Sequence, residues 1–292
     1  MIEDRTLGSV IFDVFNAIIL GLLALACLFP IVHVLALSFS DRAATLGNLV
    51  TLWPVNFTTY NYYRILIGAD FRRAFSISIQ RVLMGVSLSM LITLLTAYPL
   101  SLSERLPGRG FFKWLLIFAM LFSGGLIPTY LAYRSLGLLD RIWVLVLPGA
   151  VDMWNIIIMT NFFRGLLPEL SEAATVDGAS HWDILWRIYV PLSAPAIATI
   201  ILFTTVMHWN SWFDGLVYMK SPSNYPLQTY LQTTILGRDF TRLIQDPLAL
   251  AKLSERSVRS AQIILAMVPV LAIYPFLQRY FVTGLTLGSV KG

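Results

Sequence analysis

Long apolar runs separated by short polar segments dominate this chain. Five of the runs contain no Asp, Glu, Lys or Arg, and each approaches or exceeds the roughly 20 apolar residues that cross the hydrocarbon of a bilayer. These runs are residues 14–39, 82–103, 114–133, 188–213 and 260–278. A sixth run, residues 142–163, is long enough but carries Asp152. Because lipid requires backbone groups to be satisfied within the segment, the pattern predicts an all-α membrane protein with six transmembrane helices.

We expect these helices to form a single transmembrane domain over residues 1–292, with core spans within about residues 72–283. The predicted spans are about residues 12–39, 74–103, 114–133, 142–163, 191–213 and 260–282. A polar loop, residues 164–190, joins spans 4 and 5. Two long loops, residues 40–73 and 214–259, are expected on the opposite side of the membrane.

Composition favours a bilayer over a large soluble core. Charged residues make up 13% of the chain, against about 25% in soluble domains. Charge does not orient the chain, because the short basic turn at residues 104–113 favours a cytoplasmic N-terminus while Arg72, Arg73, Arg134 and Arg141 argue the other way. The chain has one Cys, which excludes an internal disulfide.

The densest polar patch lies at residues 170–191, LSEAATVDGASHWDILWRIYVP. Pro168 can begin a helix, because the first position of a helix needs no N–H donor. Glu169 and Glu172 suit the first helical turn, where the helix dipole favours acidic side chains. Gly178 interrupts that helix, and a second short amphipathic segment runs on to Pro191.

Three interpretations of this patch compete. It is a helix lying on the bilayer surface, an active site, or a docking helix for a soluble partner. The catalytic interpretation is weak, because the chain shows no second cluster of His and acidic residues and no metal-ligand spacing. We therefore expect no catalytic residue, no metal and no cofactor, and His181 fits a surface or packing contact.

The spacing of this patch resembles the signature of membrane subunits in ATP-binding-cassette (ABC) importers. That signature is Glu-Ala-Ala, three residues, Gly, nine residues, then Ile-x-Leu-Pro. This chain has EAA at 172–174, Gly178 and IYVP at 188–191, where Val190 replaces Leu. Further segments resemble the smaller, maltose-type permease of carbohydrate importers: NYYR at 61–64, IPTYL at 127–131, WNSW at 209–212 and GSVKG at 288–292. FSGGLIPTYL and YPLQTYLQT are similar to a subgroup that includes the alginate-oligosaccharide importer.

The resemblance implies a permease subunit of an ATP-driven oligosaccharide importer, not an enzyme. The chain has no G-x-x-x-x-G-K-[ST] loop, and the family has two separate ATPase subunits. Further partners implied are a second permease subunit, an extracytoplasmic sugar-binding protein, the oligosaccharide and the lipid bilayer, with no nucleic acid. The residues expected to couple to the ATPase are Glu169, Glu172, Ala173, Ala174, Asp177, Gly178, His181 and Pro191. The resemblance also implies a multi-pass protein of the bacterial inner membrane with both termini and the polar loop, residues 164–190, in the cytoplasm.

Candidates for the translocation path are polar or aromatic residues in spans 4 and 5: Asp152, Asn155, Trp209, Asn210 and Trp212. Polar groups within spans usually face the bundle interior or a water-filled cavity, so Asp152 either lines the path or bonds a neighbouring helix. The Trp residues either stack on sugar rings or anchor the chain at the membrane interface. In residues 214–259 a modest basic excess, including Arg238 and Arg242, either favours an anionic saccharide or belongs to a solvated loop.

Two other classes of transporter stay open at this point. A stand-alone secondary transporter would need ion ligands within the membrane and often shows inverted repeats; this chain has one acid in its spans and no internal repeat. An ABC permease for another solute would keep the docking signature without the NYYR, WNSW and GSVKG elements.

Overall fold

The computed structural model describes residues 7–102, 108–236 and 253–288. Within these ranges the chain is α-helical, with short 3-10 and π-helical segments and no β-strand. The first seven helices are α1 (Leu7–Ser38), α2 (Arg42–Leu46), α3 (Tyr60–Ile67), α4 (Ala69–Ser101), α5 (Arg109–Leu121), α6 (Leu126–Ser135) and α7 (Trp143–Val146). They are followed by α8 (Met153–Arg164), α9 (Pro168–Val176), α10 (His181–Ile184), α11 (Val190–Leu192), α12 (Ala194–Asn210), α13 (Phe213–Tyr218), α14 (Leu227–Leu236) and α15 (Glu255–Gly288).

Three helices in the described ranges are long and apolar enough to cross a membrane: Gly8–Ser38, Ala69–Ser101 and Glu255–Pro275. Three pairs of shorter helices meet the same test when each pair is taken as one bent span, which brings the total to as many as six. The predicted all-α class with six spans is confirmed, although half of those spans are broken helices.

The third span, predicted as one transmembrane helix over residues 114–133, is sharply bent. Helices α5 and α6 meet at 113°, across a break that contains Gly124 and Gly125. Glycine is a poor helix former, and Gly125 has a φ of +80°, which side-chain-bearing residues rarely adopt. Residues 114–133 therefore contain two helices.

The fourth and fifth spans are also broken. The segment Trp143–Gly149 meets Met153–Arg164 at 44°, after a 3-10 turn that contains Pro148 and Gly149. The segment His181–Leu192 meets Ala194–Asn210 at 80°, between Pro191 and Pro195. Proline removes a helical hydrogen bond and clashes with the preceding turn, so the bends follow from residues that the sequence already shows.

The two long predicted loops hold helices of their own. Residues 40–73 contain α2, α3 and the start of α4, and the described parts of residues 214–259 contain α13, α14 and the start of α15. Arg238 and Arg242 lie outside the described residues.

The chain divides into two compact units: Met1–Ala69 with Thr234–Met267, and Asp70–Thr233 with Val268–Gly292. In the first unit, Asn61 of the NYYR segment is 2% exposed and joins three parts of the chain. Its side-chain Nδ2 donates to the Ser38 carbonyl at 2.9 Å and the Ser40 carbonyl at 3.2 Å. Its Oδ1 accepts from the Ser257 hydroxyl at 3.4 Å. A small core of Ala36, Leu37, Ala44 and Val50 lies beside these contacts.

The second unit has the larger hydrophobic core, which we call the central core. It joins one end of α4 to α8, α12 and the segment around α10. Its buried residues are Leu94, Ala97, Tyr98, Met159, Phe163, Ile184, Leu185, Tyr189, Ala196 and Ile200. Burial of apolar side chains like these stabilises a fold by about 1.5–3 kcal/mol each, so this core sets the geometry of the polar loop beside it.

Candidate coupling loop and translocation path

The polar loop forms two short helices separated by a glycine, as the sequence predicts. Pro168 occupies the start of α9, and two N–H groups close its end: Asp177 donates to the Ala173 carbonyl and Gly178 to the Thr175 carbonyl, both at 3.0 Å. Gly178 follows with a φ of +84°, a conformation that favours glycine. We call this polar loop, residues 164–190, the coupling loop.

The second helix of the coupling loop begins with a capping box at Ser180. The Asp183 N–H donates to the Ser180 hydroxyl at 3.2 Å, and the Ser180 N–H donates to the Asp183 carboxylate at 3.3 Å. This reciprocal pair satisfies N–H groups that a helix start otherwise leaves unpaired. Arg187 lies 3.4 Å from the same carboxylate, and the helix then widens into a π-helical turn, Leu185–Tyr189.

The base of the coupling loop is packed into the central core. Ile184, Leu185 and Tyr189 are buried there, and Ala174 and Ala179 pack against them. The rings of Tyr189 and Phe163 lie 5.2 Å apart with edge-to-face geometry, which favours aromatic pairs. The loop is therefore fixed to α4, α8 and α12.

One hydrogen bond connects a predicted coupling residue to a long helix. The Tyr98 hydroxyl lies 3.1 Å from Nδ1 of His181, with the two rings in edge-to-face contact. His181 thus combines an exposed position with a direct contact to α4, and nothing in the sequence pairs these two positions.

The outer face of the coupling loop is exposed and carries unpaired acids. Glu169, Glu172 and Asp177 are exposed, and none of their carboxylates has a hydrogen bond or ion pair with another described residue. Large apolar side chains are exposed beside them, with Val176 at 88% and Trp182 at 62%. Acids mixed with exposed apolar groups on a firmly packed segment are typical of a protein interaction surface.

The remaining predicted coupling residues divide between the two faces of the loop. Ala173 is exposed, whereas Ala174 is half-buried against the central core. Pro191 lies in α11, next to the 80° bend that leads into α12, and so stands apart from the exposed acids.

Asp152 and Asn155 have defined partners. Asp152 caps α8: its carboxylate accepts from the Trp154 N–H at 2.8 Å and the Asn155 N–H at 3.4 Å. Asp152 therefore bonds its own helix. The sequence had left open whether it lines the path or bonds a neighbouring helix. The Asn155 side chain is 2% exposed and donates to the Thr204 hydroxyl of α12 at 3.1 Å.

The three translocation-path candidates in span 5 differ in exposure. Trp209 is 3% exposed, and its ring contacts Phe75 edge-to-face at 5.8 Å, so Trp209 is a packing residue in this structure. Asn210 is exposed, and Trp212 is 38% exposed. Only the last two present a surface to which a ligand has access.

A buried polar row on α4 was not singled out from the sequence. Arg81, Gly85, Ser89 and Thr93 recur every four residues, a spacing that puts them on one face of a helix, and all four are buried. The Arg81 guanidinium pairs with the Asp214 carboxylate and donates to the Ser211 carbonyl at 3.3 Å. The four-residue spacing is the signal that would have identified this face.

A cavity of about 400 Å³ lies near the start of α4, at the opposite end of that helix from the coupling loop. It is lined by Arg73, Ser76, Ile77, Gln80, Asp140, Ile142, Met219 and Asn224. We call it the α4 cavity. All of its lining residues belong to the second unit.

The arrangement of helices and coupling loop agrees with a known family. The family described as binding-protein-dependent transport system inner membrane component matches residues 65–286. This match covers well over half of the chain, so the protein belongs to that family of membrane permeases.

Two relatives from Bacillus subtilis (strain 168) match almost the whole chain. Protein LplC is 39% identical over 288 residues, covering 99% of this chain and 97% of the relative. The polygalacturonan/rhamnogalacturonan transport system permease protein YtcP is 38% identical over 283 residues, covering 95% and 98%.

A solved structure shares the fold. A chain from a bacterial ABC transporter involved in the import of the acidic polysaccharide alginate matches with a TM-score of 0.87 and 34% identity, covering 95% of this chain and 99% of that chain. The resemblance to carbohydrate ABC permeases, drawn from the spacing of residues 172–191 and the shorter motifs, is confirmed.

Proposed function

We propose that this chain imports an acidic oligosaccharide across the bacterial inner membrane as one of two permease subunits, and that its coupling loop docks on a separate ATPase subunit. The observation that carries the docking proposal is the contrast between the two faces of the loop. The inner face is packed into the central core, while the outer face exposes unpaired acids and large apolar side chains. A surface that is held in place by buried packing, and whose exposed acids have no hydrogen bond or ion pair with another described residue, fits a permanent contact with another protein.

In this proposal the coupling loop transmits motion as a rigid body. Closure of two ATPase subunits on binding ATP would displace both coupling loops of the permease pair. Because Ile184, Leu185 and Tyr189 are packed against α4, α8 and α12, these helices would move with the loop. Interfaces of this kind switch between discrete arrangements, here an inward-facing and an outward-facing state, and ATP shifts the population between them.

The acidic substrate is inferred from the relatives. YtcP is named for polygalacturonan and rhamnogalacturonan transport, and the matching structure belongs to an importer of acidic alginate. In the proposed orientation both termini and the coupling loop are cytoplasmic, and the α4 cavity faces the side from which a binding protein delivers the sugar.

The docking proposal predicts that Glu172→Lys and Gly178→Trp uncouple transport while the protein still inserts. Reversal of an exposed acid places like charge against a basic partner surface. A Trp at position 178 strains a φ of +84° and projects a large ring into space where a built Cβ meets no atom within 4 Å. The measurement is binding-protein-dependent uptake by the reconstituted complex, together with its stimulated ATP hydrolysis.

Gly137 offers a matched control for the glycine variant. It has a φ of +67° and also meets no atom within 4 Å, but it lies between α6 and α7. Gly137→Trp imposes a similar backbone strain away from the loop and is expected to leave the ATPase bound. Normal co-purification and normal stimulated ATP hydrolysis in both loop variants would contradict the docking proposal.

A further inference from the structure

We infer that the α4 cavity is a subsite for the carboxylate of a uronic acid residue, with Arg73 as its binding cation. This inference rests on the proposed function, since it assigns a place on this chain to the acidic group of the sugar. The cavity volume of about 400 Å³ lies within the range of small-molecule sites.

The α4 wall of the cavity carries the cation. This wall is formed by four residues of α4: Arg73, Ser76, Ile77 and Gln80. Their spacing of three to four residues sets them on one face of the helix. Arg73 is exposed and has no hydrogen bond or ion pair with another described residue. Its five N–H donors are therefore available to a ligand.

The opposite wall contains the one acid among the lining residues, Asp140, and its oxygens are already engaged. Oδ1 accepts from the Lys220 N–H at 3.1 Å, the Ser221 N–H at 3.2 Å and the Asn224 Nδ2 at 3.1 Å. Oδ2 accepts from the Ser221 hydroxyl at 2.8 Å. Asp140 thus holds the segment that forms this wall, and it makes no ion pair with Arg73.

Two contacts outside the cavity connect its walls. The Leu227 N–H, just beyond the wall segment, donates to the Ser78 hydroxyl of α4 at 2.7 Å. One turn further along α4, Arg81 is paired with Asp214. These contacts hold the two walls together, so binding does not have to order them, which lowers the cost of binding.

The chemistry of the lining fits an acidic sugar better than a neutral one. A guanidinium binds a carboxylate through two parallel N–H···O bonds, a geometry that a hydroxyl cannot match. Ser76, Gln80 and Asn224 add side chains suited to sugar hydroxyls, and Ile77, Ile142 and Met219 give an apolar surface for the faces of the ring.

The test compares Arg73→Gln with Arg72→Gln in the complete importer, reconstituted in liposomes with its second permease, ATPases and binding protein. Arg72 is the adjacent exposed arginine and does not line the cavity, so it is a control of equal charge. The probe is uptake of a trigalacturonate, with its methyl-esterified form as the uncharged counterpart, and subunit composition is checked for each variant.

We expect Arg73→Gln to reduce trigalacturonate uptake at least about tenfold, because charge-assisted hydrogen bonds are lost. Arg73→Lys should reduce uptake less. Arg72→Gln should leave it unchanged. With the methyl ester, the difference between wild type and Arg73→Gln should disappear. Equal uptake of trigalacturonate by wild type and both Gln variants would overturn the subsite and leave the proposed function intact. A wild-type importer that accepts neutral oligosaccharides and no uronate would instead overturn the acidic substrate class, and the subsite with it.

Discussion

At position 85 the second unit has no room for a side chain. A Cβ built on Gly85 of α4 would clash with Nε2 of His208 in α12. From another direction, a Cβ on Gly149 would lie 3.2 Å from Cε1 of the same ring. His208 is 2% exposed, so its imidazole lies between two glycines and has little freedom to move aside.

This packing predicts that Gly85→Ala destabilises the protein by about 1–3 kcal/mol, the usual cost of overpacking a filled core. The measurement is the thermal midpoint of the detergent-solubilised protein. Gly21→Ala is the control, because a Cβ at Gly21 of α1 meets no atom within 4 Å and Ala is the better helix former.

A double variant separates crowding from a loss of helix packing. Removing the ring in Gly85→Ala/His208→Ala should recover part of the lost stability relative to the two single changes added together, since neighbouring sites couple. Strict additivity would show that the ring does not occupy the space beside Gly85.

At the scale of an element, one carboxylate organises a turn. Asp140 follows α6 with a φ of +62°, a conformation that Asp adopts more readily than most residues. Partial burial by itself raises the pKa of the Asp140 carboxyl. The hydrogen bonds from Ser221, Asn224 and Lys220 together outweigh that effect and bring the pKa below its ordinary value.

The lowered pKa of Asp140 predicts the direction of a pH effect. A carboxyl whose pKa is lower in the folded state stabilises the fold above its unfolded pKa of about 3.9, and this stabilisation is lost as pH falls through the folded value. Amide hydrogen exchange at Ser221 should therefore remain slow near neutral pH and become faster, after correction for the intrinsic rate, below about pH 4.

Asp140→Asn should make corrected exchange at Ser221 fast and independent of pH over the same range. Asp70→Asn, at an exposed acid of the same unit, should leave the wild-type pH dependence in place. Protection at Ser221 that persists in Asp140→Asn would show that the turn is held by other contacts.

At the scale of the whole molecule, the coupling loop is expected to move together with the helices of the second unit that it packs against. The Tyr98–His181 hydrogen bond of 3.1 Å adds a polar contact to the apolar packing at the base of the loop. Such a bond contributes about 1 kcal/mol net, which changes a conformational equilibrium by about fivefold. Its loss should weaken coupling without preventing assembly.

Tyr98→Phe should therefore increase the number of ATP molecules hydrolysed per sugar imported, by up to about fivefold. Tyr189→Phe is the matched control, since its ring packs against Tyr98 and Phe163 while its hydroxyl has no hydrogen bond with another described residue. An unchanged ratio of ATP to sugar in Tyr98→Phe, or an equal change in Tyr189→Phe, would argue against the role of this bond.

The coupling loop shows how far local sequence signals reach. Pro168, Gly178 and the Ser180–Asp183 box were readable because helix starts, breaks and caps depend on residues within one or two turns. The exposure of Glu172 follows from the same amphipathic pattern. The contact of His181 with Tyr98 was not readable, because it joins helices that are distant in sequence.

The sequence by itself determined the six apolar spans, the proline and glycine breaks, and the spacing that identifies the family, since each is a property of neighbouring residues. Only the tertiary structure decided that Trp209 is buried, that Gly85 makes room for His208, and that Arg73 lines a cavity with Asp140. The physical reason is that these outcomes depend on which helix faces pack together. In a chain where most faces are apolar, hydrophobicity alone does not distinguish one packing partner from another.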